Sequence, residues 1–186
     1  MKNTLAKVVD KLRSTRPVAT FDEMSLTDAE AQSRRSAEPG PVEAQFFANR
    51  GRVIHKWLHY LAVYDRAFAP YRDKSPTMLE IGVSLGGSLE MWRSYFGPAA
   101  TIFGIDIDPE CANRFEPPNQ VRIGSQADAD FLQRVVAEMG APDIILDDGS
   151  HVSQHQVASF RALWPVLKAG GLYVIEDCHT AYWPWF

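Results

Sequence analysis

Cysteine is scarce in this chain. Its two residues, Cys111 and Cys178, lie far apart and fit no metal-ligand spacing. That excludes a disulfide-stapled scaffold, and both read as reduced thiols of a cytoplasmic protein. Basic charge is not in excess either: 19 Lys and Arg stand against 23 Asp and Glu, a net charge of -4, which argues against nucleic acid as a partner. No run approaches the roughly 20 apolar residues of a membrane span. The opening Met1-Lys2-Asn3-Thr4 carries a basic residue but leads into no apolar core of a secretory signal. Internal repeats and low-complexity tracts are absent. What is present is 186 residues with 46% hydrophobic content, enough for a globular domain with a real core.

The chain changes character along its length. Residues 1–40 are polar and irregular and close on Pro39-Gly40-Pro41, with one short amphipathic helix expected from Leu5, Val8, Val9 and Leu12. Residues 41–76 read as a helical cap. Its aromatic-rich pattern runs from Glu43 to Tyr71 and ends at Asp73-Lys74-Ser75-Pro76. From residue 77 onward, apolar runs alternate with helical patterns. Strands are expected at Met78–Val83, Thr101–Ile107, Gln120–Ile123, Asp143–Asp147 and Leu172–Glu176. Helices are expected at Ser88–Phe96, Pro109–Phe115, Ala127–Met139 and Ser153–Leu167, with Gly140, Gly170 and Gly171 as caps. Short buried strands separated by helices mean βαβ units and a parallel α/β sheet.

The first strand ends in Met78-Leu79-Glu80-Ile81-Gly82-Val83-Ser84-Leu85-Gly86-Gly87-Ser88. An apolar run, an acidic residue and three glycines describe a strand turning sharply into a helix, with little side chain where a ligand comes close. The spacing is neither G-x-G-x-x-G nor a phosphate loop with its Lys-Ser/Thr pair. It is E-x-G-x-x-x-G-G-S, which resembles the first motif of class I S-adenosylmethionine (SAM) methyltransferases.

Ligands of an open α/β sheet gather at the carboxyl ends of its strands. Here every strand ends in polar groups. The first delivers Glu80, Gly82, Gly86 and Ser88. The second delivers Asp106, placed to accept the hydroxyl protons of a ribose, while Asp108-Pro109 reads mainly as a helix cap. The third brings Ser125 and Gln126, which offer neutral partners beside an adenine; a turn and helix cap explain them nearly as well. With Asp147, these residues form the expected cofactor-binding set.

The ends of strands four and five carry Asp147, Asp148, Gly149, Ser150 and His151, and Glu176 and Asp177. Up to four carboxylates in one small space repel unless one protonates or a cation sits among them. Ligands that are all oxygen point to a hard ion such as Mg²⁺. His151 emerges at the same sheet edge and is the candidate general base, with His155 and His179 as alternatives. The pairing is chemically sensible. A hydroxyl with a pKa near 15.7 lies about 9 units above an imidazole near 6.5, a gap of ~12 kcal/mol. A positioned base contributes only about 10²–10⁴-fold, so a nearby cation complements it.

The motifs LEIGVSLGGSLEMWRSYFG, FGIDIDP, DIILDDGSH and GGLYVIEDCHTAYW together resemble the metal-dependent sugar O-methyltransferases of macrolide biosynthesis, the macrocin and mycinamicin type. The resemblance spans about Phe46 to Tyr182. It implies a Rossmann-like SAM methyltransferase sheet of strand order 3-2-1-4-5, helices on both faces, and an N-terminal helical segment before it. It implies Asp148, Glu176 and Asp177 as Mg²⁺ ligands, His151 as base and a glycosylated small molecule as acceptor. An N-terminal segment covers the SAM pocket in related proteins. That makes Lys56, His59 or Tyr60 candidates for the methionine end, and an aromatic face packed on the sheet is the competing reading.

One departure stands out. Family members continue past strand five, whereas this sequence stops at Phe186, which reads as truncation or as an edge covered by a second copy or a partner chain. The rival functions are a non-catalytic SAM-binding subunit, and a SAM-fold subunit of a cephamycin-type hydroxylating system, since fold does not fix reaction.

Overall fold

The computed structural model describes residues 28–113 and 119–182. The helix expected around Leu5–Leu12, the end of the Pro109–Phe115 segment and residues 183–186 lie outside the described residues. The chain divides into two compact units, Met1–Glu38 and Pro39–Phe186. In the first, a short helix α1 (Asp28–Ser33) ends where the Ser33 hydroxyl donates to the Glu30 carbonyl at 2.7 Å.

The second unit opens with α2 (Pro41–Ala48) and α3 (Leu58–Phe68). Pro41 suits the first turn of a helix, and its N-cap, Gly40, has no side chain to cap with. Asp65 of α3 supplies the missing acceptor, taking the Val42 amide at 2.7 Å and the Glu43 amide at 3.5 Å. A carboxylate at a helix N-terminus satisfies orphan donors and complements the dipole, so this contact locks α2 to α3.

The continuous helical pattern expected over residues 43–71 is interrupted. Asn49 ends α2, accepts the Gly51 amide at 3.1 Å and donates to the Arg52 carbonyl at 2.8 Å. Such side-chain bonds offer the backbone an alternative to helix. Residues 49–57 therefore run without regular secondary structure until α3 begins.

Five parallel strands follow: β1 (Thr77–Ile81), β2 (Thr101–Asp106), β3 (Gln120–Ile123), β4 (Ile144–Asp147) and β5 (Leu172–Ile175). Their order is β3-β2-β1-β4-β5, as expected. Between them run α4 (Gly87–Phe96), α5 (Ala129–Met139) and α6 (Ser153–Leu163). Asp128 caps α5 by accepting the Phe131 amide at 3.0 Å, and Gly140 (φ +85°) ends it. The segment after Asp108 forms a 3₁₀ turn, Pro109–Asn113, rather than an α-helix, and Pro165 shortens α6 by turning Trp164–Val166 into 3₁₀.

Helices cover both faces of the sheet. Leu79, Ile81, Phe103 and Ile105 share one core with Leu132, Val135, Val136 and Met139 of α5 and Leu163 of α6. On the other face, Gly104 leaves room for Leu89 of α4, and Trp92 of α4 sits under Glu80. Tyr64 and Phe68 of α3 then pack on Trp92, with ring centroids 5.2 and 5.1 Å away. Each of these fully buried rings contributes about 1.5–3 kcal/mol. The aromatic face of the cap is thus the layer that fastens it to the sheet. β1 and β4 are central and buried, whereas among the described residues β5 pairs with β4 alone and is only half-buried. Among the described residues, no helix is long and apolar enough to cross a membrane.

Candidate active site

The strand order reverses between β1 and β4, and the carboxyl ends of these two strands meet there. Gly82 follows β1 with φ +89°, and a Cβ on it would lie 2.1 Å from the Asp148 carbonyl oxygen. Only glycine accepts both the left-handed backbone and that approach. The glycine turn and the acidic loop are therefore in van der Waals contact.

Asp106, at the end of β2, organises the turn. Its Oδ2 accepts the amides of Val83 at 2.9 Å and Ser84 at 2.8 Å, and its Oδ1 accepts the Asp108 amide at 2.9 Å. Partial burial works against ionisation, yet these backbone donors win and hold its pKa below the usual carboxylate value. Asp108 accepts the Glu110 amide at 2.9 Å, the capping role expected of it.

Glu80 is fully buried behind the turn, accepting from the Ser88 hydroxyl at 3.0 Å and the Trp92 indole at 3.4 Å. Burial pushes its pKa up to about 7, even with the Lys56 ammonium pulling the other way.

Asp147 is buried as well, and its pKa is raised by burial against the bonds it accepts. It takes the Ser159 hydroxyl at 2.6 Å and the Gln126 amide at 3.1 and 3.2 Å. Gln126 in turn accepts the Ser150 amide at 2.6 Å. Both residues were expected among the cofactor contacts; their side chains lie beneath the loop 148–150 and brace it. The Ser125 hydroxyl accepts the Ala127 amide at 3.2 Å and shapes the entry to α5.

The acidic loop and the end of β5 come together; of the expected ligands, Asp148 and Asp177 meet there with His151, whereas Glu176 is outside that trio and bonds to Lys56 and Tyr64. Asp148, His151 and Asp177 each present one ligand atom within 4.8 Å of the others. His151 Nε2 stands 3.8 Å from Asp148 and 3.7 Å from Asp177. Its backbone is left-handed at φ +56° and is held by the Thr180 hydroxyl, which donates to its carbonyl at 2.7 Å. Asp177 is left-handed too, at φ +51°. Two such residues side by side in one cluster are the kind of local strain that functional sites retain. Of the alternative histidines, His155 is turned to the Ser150 hydroxyl at 2.9 Å, and His179 lies 3.9 Å from Asp177 on the exposed side.

The cap closes this cluster from above. Lys56 Nζ, nearly inaccessible, donates to Asp148 and to Glu176, each at 2.5 Å, and lies 3.8 Å from Glu80. Burial works to lower its pKa, but the three carboxylates outweigh it and the net shift is upward. Tyr64 donates to Glu176, while Trp57 and Tyr60 donate to Asp177 Oδ1 at 3.1 and 2.9 Å. Burial pushes Glu176 up to about 7 against the pull of Lys56, with a smaller push from Asp148; burial also raises Asp148. Tyr64 and Trp57 were not expected here, although positions 57, 60 and 64 have helical spacing. Lys56 and Tyr60 reach the carboxylates, and His59 stacks edge-on against Tyr60 with centroids 4.6 Å apart.

A hard divalent cation suits this donor set: carboxylate oxygens converge, one histidine adjoins them, and the cluster already stabilises a buried ammonium. The glycine turn, stripped of side chains at the contact with Asp148, suits a ligand lying across the sheet edge.

Known proteins similar to this chain are methyltransferases. Mycinamicin VI 2''-O-methyltransferase of Micromonospora griseorubida is 40% identical over 163 residues, covering 82% of this chain and 39% of its own length. A tetracenomycin-C rhamnosyl 2'-O-methyltransferase of Streptomyces olivaceus is 43% identical over 140 residues, covering 70% of this chain and 36% of its own. The structure of the MycE methyltransferase in complex with Mg and SAH matches with TM-score 0.67 at 40% identity, over 80% of this chain and 42% of that one. The chain thus spans roughly two fifths of the length of these relatives. Residues 79–178 match the family described as a methyltransferase domain, and with most of its sheet and more than half of its residues inside that match, the chain belongs to that family.

Proposed function

We propose that this chain is the SAM-binding part of an O-methyltransferase that methylates a sugar hydroxyl of a glycosylated small molecule. The observation that carries this reading is the contact between Gly82 and the Asp148 carbonyl. It puts the glycine turn, where a SAM sulfonium would lie, directly against a carboxylate and histidine cluster able to manage a proton. The relatives support the acceptor class: they act on rhamnosyl tetracenomycin and on mycinamicin VI.

In this reading Glu80, Gly82, Gly86, Ser88, Asp106 and Ser125 form the cofactor side, with Asp106 bracing the turn and facing the ribose. Asp147 and Gln126 brace the loop from beneath. Asp148, Glu176 and Asp177 hold Mg²⁺, which the MycE structure also contains. When bound, such an ion supplies positive charge beside a hydroxyl that is losing its proton. His151 accepts that proton at Nε2, and the carboxylates of Asp148 and Asp177 then stabilise the imidazolium. The half-buried β5 edge, with Phe160 and Trp164 exposed nearby, is covered by a second copy or a partner chain in the working protein, which we place in the cytoplasm.

The test is methyl transfer from labelled SAM to a panel of glycosylated macrolides and aromatic polyketides, with Mg²⁺ or with EDTA. Metal-dependent transfer to a sugar hydroxyl is expected. SAM binding with no transfer to any acceptor favours a non-catalytic subunit.

A further inference from the structure

Two of the three proposed metal ligands already have a cation. Lys56 Nζ donates to Asp148 Oδ2 and Glu176 Oε1, both at 2.5 Å, and its side chain is 1% exposed. It arrives on the irregular segment that follows α2. That segment is tied to the start of α4, where Gly87 donates its amide to the Val53 carbonyl at 3.2 Å and Arg52 pairs with Glu90 at 3.1 Å. A Cβ on Gly87 would lie 2.3 Å from the Val53 carbonyl oxygen, so glycine is what lets the segment sit on the cofactor turn. One short stretch of chain thus touches both the glycine turn and the carboxylates.

We propose that Lys56 is a tethered competitor of the metal: a divalent ion at Asp148 and Glu176 displaces its ammonium, and the segment carrying it loosens from the glycine turn. The inference rests on the reading of those carboxylates as Mg²⁺ ligands. Mg²⁺ holds its oxygens at about 2.0–2.1 Å in near-octahedral geometry. An ammonium bonded to the same two oxygens occupies that space and repels the ion. Lysine suits the role, because its charge sits on a flexible stem that can withdraw without unfolding the helix behind it. Since Val53 and Lys56 share the segment, metal occupancy and the cofactor turn are coupled, and the coupling is reciprocal.

The experiment needs neither acceptor nor turnover. Mg²⁺ is titrated calorimetrically into the full chain and into Lys56→Gln, and amide hydrogen exchange of residues 52–58 is followed with and without Mg²⁺. Competition predicts at least tenfold tighter Mg²⁺ binding by Lys56→Gln. It also predicts faster exchange of the segment when Mg²⁺ saturates the native chain. Equal or weaker binding by the variant overturns competition while leaving the metal assignment standing. Binding by neither protein overturns the metal assignment, and this inference with it. If Lys56→Gln does not fold, the native exchange decides alone: unchanged protection of residues 52–58 at saturating Mg²⁺ overturns the proposal.

Discussion

Lys56 and Glu176 are 120 residues apart in sequence and bonded at 2.5 Å, which fastens the cap to the end of β5. The pair is enclosed, with Asp148 and Glu80 completing a buried cluster of three acids around one ammonium. Removing one member of such a cluster leaves uncompensated charge and is typically costly, about 3–5 kcal/mol. The site and the closure of the cap over it are therefore one structural unit.

The metal assignment predicts a clean separation of functions at Asp148. Asp148→Ala abolishes Mg²⁺-dependent turnover, while SAM still binds through the glycine turn. Calorimetry with SAM and a turnover assay on the same preparation check this. Full activity in the variant would show that the ion is held elsewhere.

His151 offers a proton acceptor and a possible ligand atom in the same place, and the two roles give different outcomes. As the base, His151→Ala lowers turnover by about 10²–10⁴-fold with Mg²⁺ affinity retained. A variant that loses Mg²⁺ binding along with activity makes His151 a ligand. A loss below tenfold moves the base to His155 or His179.

Gly82 and Gly97 share a positive φ, at +89° and +84°, but differ in surroundings. Among the described residues, a Cβ on Gly97 meets nothing within 4 Å, whereas one on Gly82 meets the Asp148 carbonyl at 2.1 Å. Gly97→Ala should cost only the backbone strain, about 1–3 kcal/mol. Gly82→Ala should cost clearly more and also weaken SAM binding, because the Asp148 loop must move. Thermal unfolding reads the difference at about 2–4 °C per kcal/mol. Equal Tm losses would contradict the contact.

The buried acids set a pH dependence for the metal-free protein. Glu80 ionises near 4.5 ordinarily and near 7 in the fold, so between those values the folded state retains a proton the unfolded chain has lost. Stability then falls as pH rises from about 4.5 to 7, at most ~1.4 kcal/mol per pH unit for one such group. Glu176 acts with the same sign. Urea unfolding in EDTA at pH 5 and 7.5 should show a shallower decline in Glu80→Gln than in the native chain. Identical declines would place the Glu80 titration outside that window.

The parallel sheet was legible in the sequence because its strands are short apolar runs punctuated by glycine and acid, and Gly140 marked the end of α5. The strand ends named the cluster for the same reason: nothing in a bland core calls for Asp147-Asp148 and Glu176-Asp177. The break at Asn49 was hidden, because it depends on side-chain bonds to the backbone that leave no hydrophobic period. The partnership of Lys56 and Tyr64 with Glu176 was hidden by distance along the chain, since local spacing says nothing about what a cap lands on. Gln126 and Asp147 show the same limit. Their chemistry suits a ligand, and only the fold turns them toward Ser150 and Ser159.

The most direct measurement is calorimetric binding of SAM and S-adenosylhomocysteine to the purified chain, with and without Mg²⁺. Both should bind with micromolar affinity, and that affinity should change when Mg²⁺ fills the carboxylate cluster. A folded chain that binds neither would contradict the SAM-binding reading.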